Sequence, residues 1–196
     1  MRIVLGSGSS SRKRALTEMG FVFEVMKADI DERAIRDEDP VALVQKLAQA
    51  KADAIAPNIE PPAMLICGDQ VVVCDGRILE KPVDADEART FLRLYATHAP
   101  EIVGSLCVVN IATGERAVGY HRLRVVFKTI PEEAIEQFIK DGIIFHAAGG
   151  FYAEDPSFAP YVVSIEGTLD ACMGVPKELL FRLMKQVGWV DETPKT

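Results

Sequence analysis

Residues 2–19 read RIVLGSGSSSRKRALTEM, and the architecture follows from this stretch. Positions 2–5 form a short apolar run, glycine and serine fill 6–10, and a helical pattern over 11–19 stops at Gly20. The order is strand, loop, helix. That unit belongs to folds in which helices pack on a sheet, with a ligand's anionic groups able to sit at the helix N-terminus.

Working outward, residues 21–26 resume as a strand, and an acidic loop with Asp29, Asp31 and Glu32 leads to Pro40. Pro40 opens a helix whose Leu43, Leu47, Ala50 and Ala54 recur at helical steps; it ends near Pro57. Residues 64–74 form an apolar strand interrupted by Asp69-Gln70, and Asp75-Gly76 turns it into 77–80. A helix over 84–94 follows. Segments 102–111 and 116–129 flank Thr113-Gly114 as a long antiparallel hairpin, and 131–140 is a short helix. Residues 149–165, rich in Gly, Pro and aromatics, receive no element; a last helix runs from Pro176 to about Val187. Hairpins and helical crossovers together predict an α/β fold: a mixed twisted sheet with flanking helices and two lobes around a cleft. With no internal repeat and no long polar linker, residues 1–196 are expected to fold as a single domain.

A chain of 196 residues that is 48% hydrophobic can bury about two thirds of its unfolded surface without disulfide staples. Its four cysteines are widely spaced, and Cys67, Cys74 and Cys107 lie in apolar runs, which predicts buried free thiols in a reducing compartment. The apolar start is too short for a signal-peptide core, and no run approaches membrane-spanning length, so a cytoplasmic protein is expected. Twenty-two Lys and Arg against 29 Asp and Glu give a net charge of −7, which argues against a nucleic-acid polymer as partner. A small polyanion needs only a few converging cations and stays compatible.

Three features can carry chemistry. Gly6-Ser7-Gly8-Ser9-Ser10-Ser11-Arg12-Lys13-Arg14 can cradle an anion, with backbone N–H groups, serine hydroxyls and basic side chains around one helix N-terminus. An N-capped surface helix with a basic first turn is the plainer alternative. The spacing is not that of a P-loop, which sets a P-loop kinase aside. Asp69 interrupts an apolar strand, so it is either a desolvated base or metal ligand, or a bulge carboxylate satisfied by backbone donors. Lys81, at the end of the strand returning from Asp75-Gly76, can share a cleft with Asp69; Lys51 and Glu32 complete the candidates, each alone compatible with a solvated surface residue.

Taken in order, these motifs resemble the Maf family over nearly the full chain. Leu5-Gly6-Ser7-Gly8-Ser9 with Arg12 and Lys13 is similar to that family's opening motif and basic pair, and Ala28-Asp29-Ile30-Asp31-Glu32 to its acidic loop. Leu47-Ala48-Gln49-Ala50-Lys51-Ala52 resembles its L-A-x-x-K-A helix, and Gly68-Asp69-Gln70-Val71-Val72 with Asp75-Gly76 and Lys81-Pro82 its D-[TQ]-V-V, turn and K-P block. Ala148-Gly149-Gly150-Phe151 and Met173-Gly174-Val175-Pro176 resemble its later signatures. Two motifs depart: Ser10-Ser11 stands where the family usually has Pro-Arg, and Ala96-Thr97 where it has Ser-Gly.

The resemblance implies a fold like that of the Maf and inosine triphosphate pyrophosphatase group, commonly a homodimer. It implies hydrolysis of a nucleoside triphosphate to monophosphate and pyrophosphate with Mg²⁺, Mn²⁺ or Co²⁺. Asp69 would be the base or metal-linked activator of water and Glu32 a second carboxylate at the metal. Arg12, Lys13, Lys51 and Lys81 would neutralise the triphosphate that Ser7 and Ser9 cradle. Gln70 and Glu154 resemble the 7-methyl-GTP branch more than the branch acting on uracil and thymine nucleotides, whereas Ser11 departs from it by standing where that branch often has an aromatic residue; UTP, dTTP and CTP are the alternatives. The rival reading is a nucleotide-binding regulator of cell division or cell-cycle arrest that works without turnover. The histidines His98, His121 and His146 match none of the family's functional positions and are expected to be structural or exposed.

Overall fold

The computed structural model describes residues 1–190. Seven strands form one sheet: β1 Arg2–Leu5, β2 Glu24–Val25, β3 Ala63–Cys74, β4 Arg77–Leu79, β5 Glu101–Asn110, β6 Arg116–Phe127 and β7 Val162–Glu166. Around it pack α1 Ser10–Glu18, α2 Pro40–Ile55, α3 Ala85–Leu94, α4 Glu132–Asp141, the single turn α5 Leu169–Cys172 and α6 Lys177–Gln186. The spatial order is β2-β1-β3-β5-β6-β7, with β4 beside β3. β1 pairs in parallel with β2 and β3, whereas β3, β5, β6 and β7 run antiparallel in sequence. The expected mixed α/β sheet with flanking helices is the one observed.

Local chemistry accounts for the helix starts. Ser9 caps α1 by accepting from the Arg12 N–H, and Asp39 caps α2 by accepting from Val41 and Ala42, with Pro40 in the first turn. Asp84 does the same for α3 through Glu87. Gly142, with φ of +74°, ends α4 in the left-handed conformation that glycine adopts without penalty.

β3 organises the molecule. It is buried along nearly its whole length, and its side chains alternate between two faces. Leu65, Cys67 and Val71 point toward α2, where they meet Ala48, Ala52, Leu43 and Leu47. On the opposite face Met64 and Ile66 join a core with α1 and α6, while Val72 and Cys74 join a second core with α3, α4 and Phe151. The two lobes therefore share one strand, and their boundary falls at Gly68-Asp69-Gln70. The sheet has a notch at the same place: β1 pairs with β3 only from Ala63 to Ile66, and β4 only from Val72 to Cys74.

Three segments differ from the sequence reading. The strand expected over 21–26 shrinks to Glu24–Val25, which pair with Val4 and Leu5, because Phe21 leaves the sheet and packs on Phe181 and Trp189. The unassigned stretch over 149–165 holds short 3₁₀ turns and then β7, which completes the sheet edge. α5, too short to show helical periodicity, went unforeseen.

Candidate active site

A cleft of about 1240 Å³ opens at the notch. Ser7, Ser9, Ser11, Arg12, Glu32, Lys51, Asp69, Gln70, Lys81 and Glu154 all line it, although they come from distant parts of the chain. Lys13 is not among its lining residues. Successive helical residues point about 100° apart, so an Arg12 aimed at the sheet turns Lys13 away.

The loop after β1 builds one wall. Gly6 approaches β3 so closely that a Cβ there would lie 2.3 Å from the Cys67 sulfur, so a larger residue would have to displace that side chain. Ser7 Oγ accepts from the Ser9 N–H at 3.2 Å and from the Arg12 guanidinium at 3.1 Å. Arg12 lies in a slot floored by glycine: a Cβ on Gly174 would come within 3.1 Å of its Nε, and one on Gly68 within 3.5 Å. Burial pushes the Arg12 pKa down, with Asp69 and Glu32 pulling it back up. An arginine so placed stays charged. Its Nε has no partner among the described residues.

Lys51 forms the opposite wall. α2 buries it beside Leu47 and Ala48, so its stem is held by packing and only its ammonium reaches the cleft. There it donates to Asp69 Oδ1 at 2.5 Å and lies 3.1 Å from Glu32 Oε1. Asp69 is nearly buried, whereas the Glu32 side chain is 52% exposed at the cleft mouth. Two carboxylates thus converge on one cationic centre.

At the far end Ser11 donates to Glu154 Oε1 at 2.7 Å, and Gln70 Nε2 donates to the Cys172 carbonyl at 3.3 Å. Phe151 and Tyr152 line the cleft beside them. Lys81 follows β4, and its placement depends on a relay: the Gly149 N–H donates to the Glu80 carbonyl at 2.9 Å, and the buried Tyr95 hydroxyl donates to the Gly149 carbonyl at 2.6 Å.

Sequence reasoning missed several cleft residues. Lys27, Arg33, Arg36 and His146 line it as well, beside Arg14 of the cradle stretch. Lys27 lies over the serine loop, where a Cβ on Gly8 would meet its Cε at 2.8 Å. Arg36 reaches Glu80 at 3.2 Å, linking the acidic loop to the strand before Lys81. Nothing in the local sequence distinguishes these cations from solvated ones; only the folded loop brings them in. His146, expected to be structural or exposed, is exposed at the cleft wall, and His121 is held by the Ala171 carbonyl with burial lowering its pKa to about 4.

Among the described residues no three His, Cys, Asp or Glu side chains cluster as a preformed metal cage. The pair that meets at Lys51 fits another kind of site, in which a hard divalent cation takes one or two protein carboxylates and completes its shell with water and substrate phosphate. All four cysteines are free and buried, and burial pushes Cys67 up to about 12 and Cys107 to about 11, far from reactive thiolates. Among the described residues no helix is long and apolar enough to cross a membrane.

Known proteins resemble this chain in sequence over nearly its whole length. A 7-methyl-GTP pyrophosphatase of Dictyostelium discoideum is 39% identical over 193 residues, covering 95% of this chain and 97% of that protein. A nucleoside triphosphate pyrophosphatase of Synechococcus sp. is 34% identical over 187 residues, 95% of this chain and 94% of its own length. A dTTP/UTP pyrophosphatase of Pelotomaculum thermopropionicum is 32% identical over 187 residues, 95% of this chain and 97% of its own. The family model described as Maf-like protein matches residues 2–187, and the chain belongs to that family.

Proposed function

We propose that this protein is a metal-dependent nucleoside triphosphate pyrophosphatase, releasing monophosphate and pyrophosphate, with 7-methyl-GTP as its preferred substrate and UTP, dTTP and CTP as weaker ones. The observation that carries this reading is the buried Lys51–Asp69 pair with Glu32 at its edge, facing a serine and glycine loop backed by Arg12. Relatives in the same family are named for this activity, which supports it.

In this reading the triphosphate lies along the serine loop, where Ser7, Ser9 and the α1 N-terminus donate to phosphate oxygens. Arg12, Lys51 and Lys81 neutralise charge that builds on the phosphates as the bond to pyrophosphate breaks. Asp69 takes a proton from the water that attacks the α-phosphorus, and Glu32, paired with Lys51, brings a second carboxylate to the same centre. Asp69 and Glu32 would hold a Mg²⁺, Mn²⁺ or Co²⁺ ion, which would supply Lewis-acid activation of water and phosphate. Glu154 suits guanine: a carboxylate accepts from N1–H and the 2-amino group together, whereas uracil or thymine offers one N–H between two carbonyls that a carboxylate repels. The positive charge on a methylated ring adds to this preference, with Phe151 or Tyr152 available to stack.

Product analysis on a panel of ordinary and modified triphosphates tests the proposal. Pyrophosphate release, fastest with 7-methyl-GTP, is expected. Stepwise release of phosphate refutes the chemistry, and nucleotide binding without product would favour the regulator instead.

A further inference from the structure

Buried polar side-chain atoms almost always find partners, so an exception beside a reactive centre calls for a reason. Ser105 is such an exception. It is fully buried in β5, and its hydroxyl has no partner among the described residues. Its register partner on β3 is Asp69. Directly opposed residues of an antiparallel pair point to the same face with Cβ atoms about 5 Å apart. Ser105 therefore stands beside the carboxylate on the α2 side of the sheet, among Cys67, Val71, Val103 and Cys107, where an alanine or valine would pack as well. Lys51, Asp69 and Ser105 are three of the five buried polar or charged residues found among the described residues, and all three belong to this face.

Asp69 receives only the Lys51 ammonium on Oδ1; among the described residues nothing donates to its other oxygen. Given the function proposed above, Asp69 must turn toward water and metal while the Lys51 ammonium is shared with phosphate. We propose that Ser105 is the positioning residue for Asp69 in that state, its hydroxyl donating to the carboxylate oxygen that Lys51 leaves free. The hydroxyl is left unpaired in the nucleotide-free protein and becomes paired when substrate binds. Ser105 touches neither substrate nor metal and acts through Asp69.

This assignment predicts an unusual combination. Removing an unpaired buried hydroxyl leaves the resting fold as stable or more so, while removing a donor needed later slows turnover. Ser105→Ala is expected to lower kcat about tenfold, to leave KM within about twofold, and to keep or raise the thermal midpoint. Ser105→Thr, which keeps the hydroxyl, should recover most of the lost kcat. In an Asp69→Asn background, adding Ser105→Ala should cost nothing further, because the two act as a unit. Assays use 7-methyl-GTP or the best nucleotide of the panel. An unchanged kcat in Ser105→Ala overturns the assignment, as does a full tenfold loss on top of Asp69→Asn. So does a fall of kcat together with the thermal midpoint that threonine fails to restore. If instead the wild type releases no pyrophosphate, or Asp69→Asn is fully active, it is the reading of the site that fails.

Discussion

Ser11 on α1 donates to Glu154 at 2.7 Å across 143 residues of sequence, tying the first turn of the phosphate-side helix to the loop proposed to meet the base. The bond fixes one carboxylate oxygen of Glu154 and leaves the other free to accept from a ligand. Ser11 thus aims Glu154 although its own side chain is too short to stack on a base.

The Glu154→Gln variant should lose about tenfold or more of its preference for 7-methyl-GTP over UTP, because an amide replaces one acceptor by a donor that guanine N–H groups repel. Ser11→Ala should show a smaller loss in the same direction. The ratio of kcat/KM values measures both, and an unchanged ranking in Glu154→Gln removes that residue from base recognition.

Asp69→Asn is expected to fold normally and to lower kcat by about two orders of magnitude or more. Lys51→Met should be harmed twice over. It loses phosphate neutralisation, and it strands Asp69 without its counter-charge, which costs about 3–5 kcal/mol when a nearly buried pair is broken. Turnover and denaturant unfolding of both variants separate the two effects.

Arg12→Ala and Lys81→Ala should each lower kcat/KM by roughly 10- to 1000-fold. Lys13→Ala, altering a side chain that does not line the cleft, should stay within about twofold. A Lys13 effect as large as that of Arg12 would mean that the helix presents a different face to the triphosphate.

Thorough chelation should abolish turnover, and Mg²⁺, Mn²⁺ or Co²⁺ should restore it. Since the described residues offer two carboxylates and no cage, metal should bind weakly to the free protein and more tightly with nucleotide present. Calorimetric titration of Mn²⁺ with and without a non-hydrolysable triphosphate measures the difference.

His121 gives the fold a pH dependence. Burial lowers it from 6.5 to about 4, so between those values the unfolded chain binds the extra proton. Its contribution, on the order of 3 kcal/mol, is fully present above pH 6.5 and is lost as pH falls through that window toward 4. Urea midpoints measured from pH 7 to pH 4 should fall more steeply in the wild type than in His121→Gln.

The sequence was most informative where one physical cause acts locally. Arg2–Leu5, the serine loop and α1 are legible because an apolar run, small residues and a capping serine succeed one another within a few positions. α2 and α6 show plain helical spacing. β2 was overestimated because Phe21 is drawn out of the sheet onto Phe181 and Trp189, a tertiary fact. Lys51, Asp69 and Glu32 could each be nominated, yet their convergence comes from α2 lying across the face of β3 that holds Asp69. Lys27, Arg36 and Ser105 carried no local signal; a glycine loop, an ion pair across the cleft and a strand register single them out.

The notch in the sheet has a consequence for how such an enzyme can diversify. Asp69 and Gln70 are neighbours in the chain, but the pleat sends them to opposite sides, one toward Lys51 and the other toward Cys172 and the Gly174 turn. Because the strand edge is open there, both residues line the same cleft. In the proposed function, substitutions on the Gln70 side would retune which base is accepted while the hydrolytic residues keep their own packing. Appetite and chemistry are then separately mutable, and a lineage can change its diet without relearning how to cut.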